Sequence, residues 1–268
     1  MHHQFENMTM AYSNRFVVFL IATALIVTSG LLSANPLPKG IKGIDHRIRV
    51  NGTSAPWQAI GRLHLSGRGF CTGVLVKPGM VLTAAHCVWN RHTGKTLPPD
   101  ALYFVAGYHK ERFIASSVIR KVHLASGFKP DAKISLDAAE KDWALLELES
   151  PINNIRPLPL KSLSADELAG LGDKYPIVQA GFSRDSPYVL TVDDQCVIRL
   201  KISDKELIAH DCDAIRGDSG SPLMIHTKDG LRVIAIHSSN RYLKDGYALG
   251  LAIPSASVNK LPFPIALR

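Results

Sequence analysis

Three short motifs carry residue types that together could perform nucleophilic catalysis. The sequence Gly-Asp-Ser-Gly presents Ser219 on a glycine-flanked turn, and Thr-Ala-Ala-His-Cys places His86 directly after an apolar strand. A third motif, Asp-Trp-Ala-Leu-Leu, begins at Asp142. A serine hydroxyl is a weak nucleophile unless a neighbouring base takes its proton. The motifs therefore predict acyl transfer with Ser219 as nucleophile, His86 as general base and Asp142 as the acid that orients the base.

Each of the three residues also has an ordinary structural interpretation. A lone Gly-Asp-Ser-Gly is a weak signal for anything beyond a turn serine, and most of the eleven histidines need no catalytic role. Asp131 and Asp137 are rivals to Asp142. Neither rival is followed by an apolar strand that would anchor it, which favours Asp142.

The chain order His, Asp, Ser, with these flanking residues, resembles the trypsin-like (chymotrypsin-fold) serine proteases. The Ser-Gly-Ser-Pro ending is nearest to the bacterial secreted, V8-like branches, and the resemblance covers about Val50 to about Pro254. It implies an all-β fold of two antiparallel six-stranded barrels, with the active site in the cleft between them. It also implies hydrolysis of protein or peptide substrates through an acyl-enzyme.

The resemblance assigns further roles around the nucleophile. The backbone N–H groups of Gly217 and Ser219 are expected to form the oxyanion hole. Asp218 resembles the buried aspartate that, in trypsin-like zymogens, pairs with a newly released N-terminal amine.

The segment before the expected domain looks like a zymogen activation junction. Cleavage after Arg47 or Arg49 would expose Ile48 or Val50, either of which could insert beside Asp218. Bacterial relatives often mature differently. Both a zymogen and an enzyme that needs no such cleavage therefore stay open.

Two features of the sequence make opposite predictions about the substrate. Counting back from Ser219, Asp213 falls where trypsin-like enzymes place the acidic base of the primary pocket, which selects Arg or Lys. The segment around His237 and Ser238 resembles the V8-like segment whose histidine binds substrate glutamate. Because a carboxylate at the pocket base repels glutamate, the sequence favours a basic residue at the cleavage site.

The chain also carries signals for export. Arg15 precedes the apolar run from Phe16 to Leu32, and Ala34 offers a small residue for cleavage, so residues 1–34 are predicted to be a signal peptide. The run is near the ~18 residues at which a membrane anchor becomes possible, so membrane attachment is expected only if the segment stays uncleaved. We expect a secreted or periplasmic protein.

The four cysteines fit an oxidising compartment. The resemblance implies that Cys71 and Cys87 form the disulfide that pins the histidine loop. That leaves Cys196 and Cys212 as the second pair, with two free buried thiols as the alternative.

The elements that must position these residues are mostly strands. Residues 35–49 are predicted as a linker or possible propeptide and 50–268 as the protease domain, with barrels at roughly 50–150 and 151–268. Short apolar runs separated by turn residues favour strands. Lys-Pro-Gly at 77–79 predicts a hairpin turn, residues 165–168 one helical turn, and the tail 255–268 is expected to be partly helical.

Composition limits the other function classes. At 268 residues with 46% hydrophobic content, the chain is large enough for one large or two small cores. The formal net charge is +8, but the basic residues are scattered, so nucleic-acid binding is not expected. No metal-ligand spacing or cofactor motif is present, so we expect no metal and no cofactor. We also expect a monomer. The alternative to a protease is a catalytically silent homologue that acts as a binding module.

Overall fold

The computed structural model describes residues 37–130, 135–244 and 247–258. The predicted signal peptide, the rival Asp131 and the tail beyond Val258 lie outside the described residues. Within these ranges, no helix has both the length and the apolar character needed to cross a bilayer.

The described residues form short strands and a few helical turns, as the sequence predicts. The strands are β1 (Ile48–Val50), β2 (Ile60–His64), β3 (Phe70–Lys77), β4 (Met80–Thr83), β5 (Trp89–Asn90), β6 (Lys95–Thr96), β7 (Tyr103–Ala106), β8 (Ala115–Leu124), β9 (Ala144–Leu148), β10 (Ile177–Gly181), β11 (Leu190–Cys196), β12 (Ile198–Lys201), β13 (Ile208–His210), β14 (Pro222–Thr227), β15 (Gly230–Tyr242) and β16 (Ala248–Pro254). The α-helices are α1 (Leu136–Glu140), α2 (Ala165–Ala169) and α3 (Ser255–Val258). The hairpin turn between β3 and β4 and the helical turn at α2 are both confirmed.

The first half of the chain closes into a six-stranded antiparallel barrel. Its strands are hydrogen-bonded in the order β2, β3, β4, β9, β8, β7. The ring of Phe104 fills the interior where Gly61 and Gly73 pair across β2 and β3, since a Cβ at Gly61 would lie 2.5 Å from that ring. Glycine at these positions lets one large aromatic side chain pack against bare backbone.

The second half is an eight-stranded antiparallel sheet in the order β1, β11, β10, β14, β15, β16, β13, β12. β11 and β12 are separated only by Val197, so one continuous run pairs with β10 at one end and with β13 at the other. Because β11 lies near one end of this order and β12 at the other, the shared run curls the sheet toward the second barrel that the sequence predicts. The sheet has eight strands where six were predicted, and its hydrogen-bonded order is open. β1 is added at the edge of β11, so the first strand begins at Ile48, two residues before the predicted start of the domain at Val50.

Two disulfides brace these barrels as expected. Cys71 in β3 is bonded to Cys87 in the turn that follows β4, and Cys196 at the end of β11 is bonded to Cys212 beyond β13. Each bond spans 16 residues. Disulfides of this kind are typical of proteins exported to an oxidising compartment.

Candidate active site

His86 and Asp142 are brought together by strand pairing in the first barrel. β4 pairs with β9 so that Thr83 lies opposite Ala144. His86 follows β4 on a 3-10 turn, and Asp142 comes two residues before Ala144. The register therefore places both side chains at the same end of the barrel.

The Asp142 carboxylate holds His86 at two points. The His86 backbone N–H donates to Oδ1 at 2.8 Å, and the ring Nδ1–H donates to Oδ2 at 2.7 Å. Asp142 is fully buried, whereas the His86 side chain is 18% exposed. A buried carboxylate that binds Nδ1–H leaves the other ring nitrogen, Nε2, free to accept a proton.

Ser238 connects Asp142 to the second barrel. Its Oγ–H donates to Asp142 Oδ2 at 2.5 Å, and its carbonyl oxygen accepts from the Ser219 hydroxyl at 3.4 Å. Among the described residues the Ser219 hydroxyl has no hydrogen bond to His86. The structure thus places the three predicted catalytic residues around one centre, with the Ser219 hydroxyl directed at Ser238.

The turn that carries Ser219 is attached to the first barrel through Thr72. The Thr72 N–H donates to the Ser219 carbonyl at 2.9 Å, and its Oγ1–H donates to the Gly217 carbonyl at 3.0 Å. Gly220 has a φ of +84°, and a Cβ there would lie 2.2 Å from the Thr72 carbonyl oxygen. Only glycine allows this approach of two backbones.

Gly217 and Ser219, the two predicted oxyanion donors, lie on the turn that carries the nucleophile. Gly217 has a φ of +104°, a conformation that side-chain-bearing residues rarely adopt. Within the described residues, the N–H groups of Gly217 and Ser219 donate to no other protein group. Backbone N–H groups without a protein acceptor can bind the negative charge that develops on a carbonyl oxygen.

A cleft of about 860 Å³ opens over these residues. Its lining includes His86, Ser219, His237 and Ser238. Its charged members are all basic: Lys39, Arg68, Arg91 and Arg216, with no aspartate or glutamate among the described lining residues.

Comparison with known proteins agrees with this geometry. The sequence model of the family described as Trypsin matches residues 45–261, well over half of the chain. The chain belongs to the trypsin family. A solved structure of a Glu endopeptidase in complex with MPD superposes with a TM-score of 0.65 at 21% identity, and the match covers 82% of this chain and 96% of that one. The protein is therefore a chymotrypsin-fold serine endopeptidase.

The protease buries two contacting histidines behind its cleft. The Cys212 N–H donates to His210 Nδ1 at 3.2 Å, so that nitrogen carries no proton. Burial lowers the pKa of His210 well below its ordinary value and lowers the pKa of His237 to about 3, so both rings are neutral at pH 7.

The tautomers of the two rings follow from these bonds. The proton of neutral His210 must be on Nε2, which lies 3.0 Å from His237 Nδ1 and donates to it. His237 must then carry its own proton on Nε2. That N–H has no acceptor among the described residues, and His237 lines the cleft.

Asp213 is not among the residues that line the cleft. Its side chain is 1% exposed, and its two oxygens accept from the N–H groups of Lys42 at 2.7 Å and His46 at 3.0 Å. The structure brings His237 and Ser238 to the cleft, but it turns Asp213 toward the chain segment before β1. Asp213 is therefore not placed to bind an Arg or Lys side chain at the cleavage site, as the sequence had suggested.

Asp218 is buried under the Ser219 turn. It accepts from the Ile215 N–H at 2.8 Å and from the Ser183 hydroxyl at 2.7 Å, and Arg47 donates to that same hydroxyl at 3.0 Å. Burial raises the pKa of Asp218 to about 6. The carboxylate is thus bound by groups of the uncleaved chain.

The two candidate N-terminal residues of an activated enzyme lie in β1. Ile48 pairs with Val192 and is 53% exposed, and Val50 pairs with Leu190. The Arg47 side chain is 5% exposed and donates to Asp45 and Asp185. In the uncleaved chain, neither Ile48 nor Val50 is inserted beside Asp218.

Sequence reasoning missed several residues that support the site. Thr72, Ser183 and His210 carry no recognisable motif, and Ser238 was assigned to the substrate pocket without its bond to Asp142. One signal was available for His210: it is a polar residue in the apolar run Ile208–His210, where a buried ring needs a hydrogen-bond partner.

Proposed function

We propose that this protein is a secreted serine endopeptidase in which Ser219, His86 and Asp142 form the catalytic triad. The observation that carries the proposal is the buried Asp142, which binds both the backbone and the ring of His86 beside the cleft that contains Ser219. A binding module would not require a buried carboxylate behind a partly exposed imidazole. The disulfides support export.

In the proposed reaction, His86 Nε2 takes the proton of the Ser219 hydroxyl as Oγ attacks the scissile carbonyl carbon. The negative charge that develops on the carbonyl oxygen is bound by the N–H groups of Gly217 and Ser219. His86 then gives its proton to the leaving amine, and water hydrolyses the acyl-enzyme by the same route in reverse. Asp142 stabilises the imidazolium in both halves of the reaction. Catalytic hydrogen bonds often tighten only when substrate binds, so the Ser219 bond to Ser238 in the free enzyme is compatible with this role.

We further propose that the residue on the amino side of the cleaved bond is acidic, glutamate in particular. His237 offers an Nε2–H donor, and the cationic lining of the cleft attracts a carboxylate. The prediction of a basic residue rested on Asp213. Its two oxygens accept hydrogen bonds from the Lys42 and His46 N–H groups, and it does not line the cleft. The structural neighbour is named a Glu endopeptidase, and that name agrees with a preference for an acidic residue.

The test is labelling with a fluorophosphonate probe, followed by peptide mapping. We expect modification of Ser219 in the wild-type protein, none in Ser219→Ala, and unchanged labelling in the control Ser116→Ala, which removes an exposed hydroxyl on β8. Absence of labelling before and after trypsin treatment would refute the triad and favour the silent binding module. Labelling only after trypsin treatment would show that an activation cleavage is required.

Substrate preference is tested with peptides that differ only in Glu, Ala, Lys or Arg at the cleavage site. We expect kcat/KM to be highest for Glu. Preference for Lys or Arg would refute the acidic pocket and leave the endopeptidase assignment intact.

A further inference from the structure

The segment before β1 lies against one wall of the cleft. Residues 37–46, here named the strap, carry Lys39 to the cleft lining. The Ala214 N–H donates to the Gly40 carbonyl at 3.4 Å. A Cβ on Gly40 would lie 2.0 Å from the Ala214 carbonyl oxygen and 2.6 Å from Asn240 Nδ2. The sequence predicts a linker here, but the contacts are those of a packed element.

The strap covers Asp213, the carboxylate that sequence analysis placed at the base of the primary pocket. Asp213 is only three residues from Arg216 of the cleft lining, yet both of its oxygens are bound by strap N–H groups, from Lys42 and His46. The His46 ring adds a contact at 3.6 Å. Each Asp213 oxygen that accepts a strap N–H has one lone pair fewer to offer to a substrate cation.

The strap also adds positive charge behind this wall. The Lys42 ammonium donates to the carbonyl oxygens of Gly40 and Cys212. Burial lowers its pKa, and the surrounding carboxylates, Asp213 first among them, act in the opposite direction. After burial, the Lys42 charge is the next largest cause of the lowered pKa of His237, which lines the cleft.

We infer that the strap is the element that determines the charge preference of the primary pocket: by covering Asp213 and placing Lys42 behind it, the strap makes the pocket accept an acidic side chain where an uncovered Asp213 would select a basic one. This inference rests on the proposed function. It assigns specificity to a segment outside both barrels, in which Lys42 is 171 residues from Asp213 along the chain.

The reasoning is electrostatic. A full negative charge near a pocket repels a glutamate side chain and attracts a lysine, and the effect is strong where water is excluded. Hydrogen bonds and a nearby ammonium offset that charge. Removing them makes the field at this wall more negative without touching Ser219, His86 or the oxyanion donors.

The decisive experiment compares the Glu and Lys peptides in Gly40→Val, in Asp213→Asn and in the double variant. Valine at position 40 must displace the strap, because its Cβ would collide with backbone at a φ of +115°. We expect the Glu-to-Lys ratio of kcat/KM to fall at least tenfold in Gly40→Val. The added Lys cleavage should disappear in the double variant, since it requires the Asp213 charge.

A second variant keeps the inference falsifiable if Gly40→Val does not fold. Lys42→Met retains the aliphatic stem and removes the charge, so the same ratio should fall, and Lys42→Arg should restore most of it. Lys121→Met, on the exposed side of β8, is the control and should leave the ratio unchanged.

The outcomes separate the two proposals. If wild-type protein is not labelled at Ser219, the proposed function fails. If it is labelled and prefers Glu, but the Glu-to-Lys ratio changes less than twofold in Gly40→Val and Lys42→Met, the strap inference alone is overturned. In every variant that folds, labelling by the fluorophosphonate and cleavage of the Ala peptide should stay near wild-type levels.

Discussion

Asp218 should make the stability of this protein depend on pH, and Asp218→Asn should remove that dependence. The carboxyl group is buried, and its pKa is raised to about 6 from an ordinary value of 3.8. Between these values the unfolded chain has lost the proton while the native protein keeps it. Stability therefore falls as pH rises through this window. Over this window of about 2 pH units, the free energy of unfolding should fall by roughly 3 kcal/mol.

The assay is urea unfolding at pH 4, 5, 6 and 7, in a Ser219→Ala background that excludes self-digestion. Because other groups titrate in the same range, the informative quantity is the difference between the Asp218→Asn protein and its parent. The free energy of unfolding of Asp218→Asn, measured relative to its parent, should increase by roughly 3 kcal/mol from pH 4 to pH 7. A difference that is constant across the range would refute the raised pKa.

Arg47 supplies an internal check on this reasoning. Its charge lowers the pKa of Asp218, and it donates to the Ser183 hydroxyl that binds the carboxylate. Arg47→Met should therefore raise the pKa of Asp218 and extend the loss of stability to higher pH. An unchanged window would show that Arg47 does not act on Asp218.

Three further changes test the site and its supports. Gly217→Ala should lower kcat about a hundred- to a thousandfold with little effect on KM, because the added Cβ displaces an oxyanion donor; unchanged kcat would place the hole elsewhere. Gly250→Ala puts a Cβ 2.3 Å from the His210 ring, so the preference for Glu over Ala peptides should fall about tenfold, as expected for a lost hydrogen bond that supports binding of a charge. An unchanged preference would show that the hydrogen bond from His210 to His237 does not support substrate binding. Replacing Cys196 and Cys212 by alanine should cost about 3 kcal/mol in urea unfolding, given the 16-residue separation, and a loss below 1 kcal/mol would contradict that estimate.

The sequence alone identified the residues whose neighbours along the chain define their local structure. Ser219 and Gly217 were predicted because glycines in a short motif set the turn, and His86 because it follows an apolar strand. The strands themselves follow from runs of apolar residues between turn signals. All of these signals act over a few residues, so one sequence contains them in full.

Tertiary structure decided what depends on groups far apart in the chain. Counting back from Ser219 located Asp213 on the chain, but only the packing of the strap revealed that Lys42 and His46 occupy its oxygens. The bond between His210 and His237 likewise exists because β13 and β15 both pair with β16. Hydrogen bonds and electrostatic fields act through space, and the direction of a side chain is set by whichever partner the fold brings within about 3 Å. The sequence therefore determined the chemistry that is available to this protein, and the fold decided which charges face the cleft.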